Sequence, residues 1–142
     1  MSTKEKETRF REAVRFMANA SDILRTKAKK KDKFYEDGKY VRMACATAYN
    51  AVLLALDTYL EMKDVVIQKK KNSRKSVDDY RKALTIIDNK MLKEFNSAYN
   101  VLHLVGYYDG ETKFDVIQSG MDSAITIINK IKPFGLDNIR LN

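Results

Sequence analysis

Apolar residues recur every three to four positions along most of the chain. That is the period of an amphipathic helix and not the two-residue alternation of a half-buried strand. Phe10, Val14, Met17, Ala20 and Leu24 set out a first stripe and predict a helix over about Lys4 to Ala28. A charged stretch ending at Gly38 interrupts it. Val41, Cys45, Ala48, Val52, Ala55, Tyr59 and Met62 predict a second helix from about Lys39 to Ile67. Ala44, Ala46 and Ala51 add small side chains there, which let neighbouring backbones approach and suit a central helix.

A third helical stretch runs from about Val77 to Tyr108. Ser76 is placed as its N-cap, with Asp78 and Asp79 in a first turn where the helix dipole favours negative charge. Unbroken, this stretch would measure ~48 Å, against ~30–37 Å for the first and last helices. A break or kink is therefore expected near Asp88-Asn89-Lys90. Asp109-Gly110 marks a tight turn, and Thr112 or a neighbour caps a last helix with the stripe Phe114, Ile117, Met121, Ala124, Ile128 and Ile131. Pro133 and Gly135 end it. The tail, residues 133–142, alternates apolar and polar positions and is expected to lie across the helices. The whole predicts one all-α domain, 1–142, an up-and-down bundle of four main helices joined by short connections, with no sheet.

Composition narrows the function classes. A length of 142 residues fits one domain. A single cysteine excludes an intrachain disulfide and a multi-thiolate metal site. The opening MSTKEKETR has no apolar stretch, so no secretory leader is expected. The longest aliphatic run, Ala51 to Leu56, is far short of the ~20 residues that span a bilayer. A cytoplasmic protein with no membrane partner is the expectation.

Charge adds a candidate surface. With 27 basic and 19 acidic residues the chain carries a formal +8. Most of the excess sits in two runs, Arg25 to Lys33 and Lys69 to Lys75. Lys29, Lys30, Lys31, Lys69, Lys70, Lys71, Arg74 and Lys75 are the candidate phosphate contacts, because clustered cations on a polyanion gain from counterion release. The other reading is two solvated connections. Lysine outnumbers arginine and no aromatics interleave, which argues against base reading or single-strand stacking. The runs flank the second helix and so lie at opposite ends of the bundle, ~40 Å apart by its rise. They share a ligand only if it is long, or across a symmetric dimer.

No GxxxxGK[ST], HExxH, CxxC or GxSxG motif is present, and one histidine permits no His-rich metal shell, so no cofactor is expected. Cys45 falls on the core stripe and reads as a small hydrophobe, since nothing nearby in sequence would lower its pKa. Asn96, Asn100, His103 and Tyr107 recur at steps of four, three and four. They predict a polar ridge beside the apolar stripe Leu92, Phe95, Tyr99 and Leu102, either a cleft or a hydrogen-bonded boundary. The segments Thr47 to Leu54 and Ser97 to Leu104 share Ala-Tyr-Asn and a final leucine, a weak sign of duplication against similar packing. A histidine phosphotransfer reading fails on His103-Leu104-Val105-Gly106, which lacks the lysine and is followed by two bulky tyrosines.

The segment His103 to Lys132 resembles the closing half of a HEPN domain, a helical family with an Arg-x4–6-His motif on its third long helix. His103, Tyr107, Asp109 and the Phe114–Ile131 stripe follow the family order. At the motif's arginine positions stand Asn96, Ser97 and Ala98, and the nearest upstream arginine is Arg81. The resemblance implies a HEPN-like scaffold, a homodimer paired through the face of the third helix, and no nuclease chemistry. It also implies a role as a binding or partner subunit, with a nucleotidyltransferase as partner, while the basic runs make nucleic acid the other candidate partner. The alternative is a basic nucleic-acid-binding helical bundle without catalysis, or a general protein-interaction module.

Overall fold

The computed structural model describes residues 3–67 and 73–131. Among these, five α-helices and one small hairpin follow in order. Helix α1 (Thr3–Ile23) widens into a π-helical turn, Leu24–Ala28. Strands β1 (Lys30–Lys31) and β2 (Phe34–Tyr35) come next, then α2 (Gly38–Met62), α3 (Val77–Ile87) and α4 (Asn89–Ala98). Helix α4 continues as a π-helical segment, Tyr99–Tyr108, and α5 (Phe114–Ile131) closes the described chain. The all-helical expectation holds, with the third of the four expected stretches divided into α3 and α4. The tail at 133–142 lies outside the described residues.

Helix α2 is the core. Val41, Ala44, Cys45, Ala48, Ala51, Val52, Ala55 and Leu56 are all fully buried, on several faces of the helix. By length and mean hydropathy α2 would qualify as a membrane span, yet 56% of its apolar window is buried by its neighbours, as in a core helix. Helix α1 runs antiparallel to it. The Arg9 guanidinium reaches the far end of α2, donating to Thr58 Oγ1 at 3.0 Å and to both Glu61 oxygens at 3.2 and 2.6 Å. The segment Tyr99–Tyr108 also runs antiparallel to α2, with Gly106 against Cys45 and His103 against Tyr49. Helix α5 returns along α4, where Ser123 donates to Ser97 at 2.9 Å.

Helix α2 stops at Met62, five residues before the expected end. Asp64 adopts φ 57°, and the amide of Val65 turns back to the Leu60 carbonyl at 2.9 Å. Met62, assigned to the core stripe, is 40% exposed as a result. The four-residue strand pair was not expected at all, since two-residue strands carry no periodic signal. Lys30 pairs with Tyr35 and Lys31 with Phe34 around a turn in which Asp32 takes φ 56°, a conformation aspartate tolerates. The hairpin is sewn to the last connection. The Tyr35 amide donates to the Thr112 carbonyl at 2.8 Å, and the Phe114 amide donates to the Lys33 carbonyl at 2.9 Å.

The break in the third stretch falls on Asp88. Ser76 opens α3 with a capping box, its Oγ accepting from the Asp79 amide at 3.2 Å while Asp79 accepts from the Ser76 amide at 2.7 Å. Asp88 is extended (φ −162°, ψ 92°), closing α3 and capping α4. Its Oδ1 accepts from the Met91 amide at 3.0 Å and its Oδ2 from the Tyr59 hydroxyl at 2.7 Å. The result is a fold-back, more than a kink. Arg81 Nε donates to Asn96 Oδ1 at 2.8 Å. On a straight helix those two residues would lie ~22 Å apart along the axis.

Candidate functional site

The expected ridge Asn96–Asn100–His103–Tyr107 is rearranged by the π-helical segment. Each turn there is wider than an α-turn, because the amide reaches back five residues. A three-residue step therefore no longer returns to the same face, whereas four- and five-residue steps do. Tyr99, His103 and Tyr107, at four-residue steps, share that face. The His103 ring lies 5.4 Å from Tyr99 and 6.1 Å from Tyr107, both stacked, with interplanar angles of 28° and 11°. Tyr49 of α2 adds a third stacked ring at 4.8 Å, and Tyr108 meets His103 edge-on at 5.0 Å. His103 and Tyr107 of the ridge thus join an aromatic ladder. Asn100 is exposed and Asn96 turns away to Arg81.

The ladder is held at both ends. Gly106 permits the close approach of this segment to α2, since a Cβ there would drive into the Cys45 sulfur. Arg42 of α2 caps the segment's C-terminus, donating to the carbonyls of Tyr107 and Tyr108 at 2.6 and 2.9 Å. Burial with no charged neighbour contributing holds the His103 imidazole below its ordinary 6.5, so the ring is neutral at neutral pH. Burial likewise pushes Tyr49 up to about 12 and the Cys45 thiol up to about 12. A thiol so enclosed is not a nucleophile. The outer edge of the ladder meets solvent, with Tyr108 61%, Tyr107 41% and Leu104 36% exposed.

Arg81 is the residue that sequence spacing missed. Its guanidinium lies over the Tyr99 ring, 4.9 Å from the centroid, a cation–π geometry. Besides Asn96 it meets Asp78 at 3.5 Å. Arginine and histidine therefore contact the same tyrosine from two different helices, although no Arg-x4–6-His spacing exists. The only signal in the sequence was the break at Asp88, which folds α3 back far enough to bring them together.

The basic candidates divide. Lys29, Lys30 and Lys31 are exposed at the hairpin, with the Lys30 ammonium 3.9 Å from the Phe114 ring centroid. Arg74 is exposed. Lys75 is half-buried and ion-paired with Asp57 at 2.8 Å, and the Tyr80 hydroxyl donates to the same oxygen at 2.9 Å. Lys69, Lys70 and Lys71 lie outside the described residues. The described parts of the two connections adjoin opposite ends of α2, which is ~38 Å long by its rise. Among the described residues, Lys29, Lys30 and Lys31 therefore form no common patch with Arg74 and Lys75 in one chain.

Residues 8–133 match the family model described as a domain of unknown function, DUF5618. The chain belongs to that family. It is also similar to a solved structure, a protein of unknown function from Dyadobacter fermentans, at 44% identity. The match covers 92% of this chain and 97% of that one, with a TM-score of 0.77. No curated protein matches the chain. In this DUF5618 chain no group of three or more His, Cys, Asp or Glu side chains converges among the described residues. What the ladder offers chemically is broad aromatic faces, a neutral imidazole and one arginine, a set suited to packing against a partner.

Proposed function

We propose that the chain is a non-catalytic binding or partner subunit built as a HEPN-like four-helix bundle, working in the cytoplasm as a homodimer. The observation that carries this reading is the exposed edge of the aromatic ladder. Leu104, Tyr107 and Tyr108 present three large side chains to solvent on one π-helical segment. Aromatic groups with a polar tip are the residues enriched at the centres of interfaces. A two-fold axis through this face would set each ladder against its copy, an isologous contact. A nucleotidyltransferase subunit is the protein partner that the HEPN resemblance implies.

Two features support a non-catalytic role. His103 stacks against three rings and meets a fourth edge-on, and its only perturbation is burial, so no neighbouring acid or base poises it. Arg81 is oriented within the fold by Asn96, Asp78 and the Tyr99 face and makes no contact with the His103 ring among those described. A basic nucleic-acid-binding bundle is the second reading, favoured by the exposed Lys29, Lys30 and Lys31. Sedimentation decides the dimer. A mass near twice 16.4 kDa is expected at micromolar concentration, falling to 16.4 kDa in Tyr107→Ser/Tyr108→Ser. A wild-type monomer sinks it. RNA cleavage lost in His103→Ala or Arg81→Ala would overturn the non-catalytic role. RNA binding that weakens steeply with salt would favour the second reading.

A further inference from the structure

We propose that the cleft at the hairpin end of the molecule binds a small amphiphilic anion, an acidic head of phosphate or carboxylate type on an apolar body. The cleft lies between the end of α1, the hairpin and the start of α5, and has a volume of about 400 Å³. Clefts of roughly 300–1,000 Å³ take small organic ligands.

Its walls separate by chemistry. Leu24, Tyr35 and Met121 form a buried apolar floor, each less than a tenth exposed. Arg25, Lys29 and Lys30 stand in the wall, and Gln118 adds a neutral amide. No aspartate or glutamate lines it. The two grooves between α1 and α2, by contrast, both have Glu12 in their walls. Asp22 meets Arg25 at 2.7 Å, but on an exposed one-turn pair that is worth little. The charge facing the cleft is therefore positive and only weakly neutralised.

The two lysines are placed by structure that costs energy. Lys29 takes φ 57°, ψ 116°, a conformation that a residue with a Cβ adopts rarely. It is imposed from both sides. The Lys29 amide closes the π-helical turn on the Leu24 carbonyl at 3.0 Å. The Glu36 amide then donates to the Lys29 and Ala28 carbonyls at 2.8 and 3.1 Å. Lys30 follows immediately, its ammonium held over Phe114 so that the charge remains at the wall while the stem covers the ring. An anionic head between Lys29 and Lys30 gains charge-assisted hydrogen bonds. The apolar body leaves water for the Leu24–Met121 floor.

Titration of the ¹⁵N-labelled chain with hexyl phosphate, below its micelle concentration, tests this. The expected result is saturable shifts confined to amides around Lys29, Lys30, Phe114 and Gln118. Inorganic phosphate alone and hexanol alone should each bind about tenfold more weakly or worse. Hexanoate ranks the head: binding comparable to hexyl phosphate assigns a carboxylate ligand, and weaker binding a phosphate. Lys29→Gln/Lys30→Gln changes only exposed side chains and should lose about tenfold in affinity with unchanged helical circular dichroism. Shifts elsewhere, wild-type affinity in the double variant, or inorganic phosphate binding as tightly as the hexyl ester would each overturn the proposal.

Discussion

Replacing Asp88 by alanine should remove two interactions at once. The carboxylate caps α4 through the Met91 amide and accepts the Tyr59 hydroxyl from α2. Loss of an N-cap costs ~1 kcal/mol. Loss of a hydrogen bond to a charged acceptor costs about 1.5–3 kcal/mol, and Tyr59 is only half-buried, so the lower end applies. The sum, about 2–3 kcal/mol, corresponds to a fall in melting temperature of ~8–12 °C at about 4 °C per kcal/mol for a chain of this size. Asp88→Asn retains a capping oxygen and should lose only the charge on the Tyr59 bond, about 1 kcal/mol. Tyr59→Phe should cost a similar amount, and the Asp88→Ala and Tyr59→Phe effects should fall short of additivity by ~1 kcal/mol. Thermal and urea melts followed at 222 nm give all four values. The acid dependence carries its own sign. Burial pushes the Asp88 carboxyl up, but its bonds from Met91 and Tyr59 outweigh that and hold it below its ordinary 3.8. Its contribution is complete above 3.8 and is lost as pH falls through the lower folded value, so wild type and Asp88→Ala should converge in strong acid. An Asp88→Ala melt within ~2 °C of wild type, measured at neutral pH, would refute this account of the break.

Gly106→Ala should destabilise the chain by about 1–3 kcal/mol through overpacking against Cys45. In a Cys45→Ala background, where the sulfur is gone, the same change should cost measurably less in urea melts. Equal costs in both backgrounds would mean that the clash is not the cause. His103 gives a second pH signature. Its folded pKa lies below 6.5, so the unfolded chain binds the extra proton first and stability should fall as pH drops below 6.5. His103→Gln should flatten that slope between pH 7 and 5, and an unchanged slope would remove His103 as its source.

The features legible in the sequence are those written in helical period and in caps. Ser76 was placed correctly because capping residues act locally, and the Asp88–Lys90 break because an unbroken third stretch would outrun the helices it packs on. The α5 stripe was legible because Ile117, Met121, Ala124, Ile128 and Ile131 all face the core at α-helical spacing. The ladder was not. Tyr99, His103 and Tyr107 stand at four-residue steps that one helix face already joins, but Tyr49 comes from α2, and no local spacing announces that contact. The contact between Arg81 and Tyr99 was hidden for another reason. A cap residue announces that a helix stops and says nothing of the angle at which the next one starts. That angle is set by Tyr59 and by packing such as Tyr80 against Phe95, with rings 5.8 Å apart.

The seam between the hairpin and the last connection bears on how the molecule assembles. Tyr35 and Phe114 are tied to strands of chain separated in sequence by three helices and their connections, so their amide bonds close a very long loop. Such closure comes late, after local helices have formed and docked, because its entropy cost precedes any return from the contacts. Lys30 belongs to one side of that seam and Phe114 to the other. The hairpin cleft is therefore the property of no fragment. A nascent chain halted before Lys113 has helices but half a wall, and the complete cleft first exists when the two ends of the topology have met.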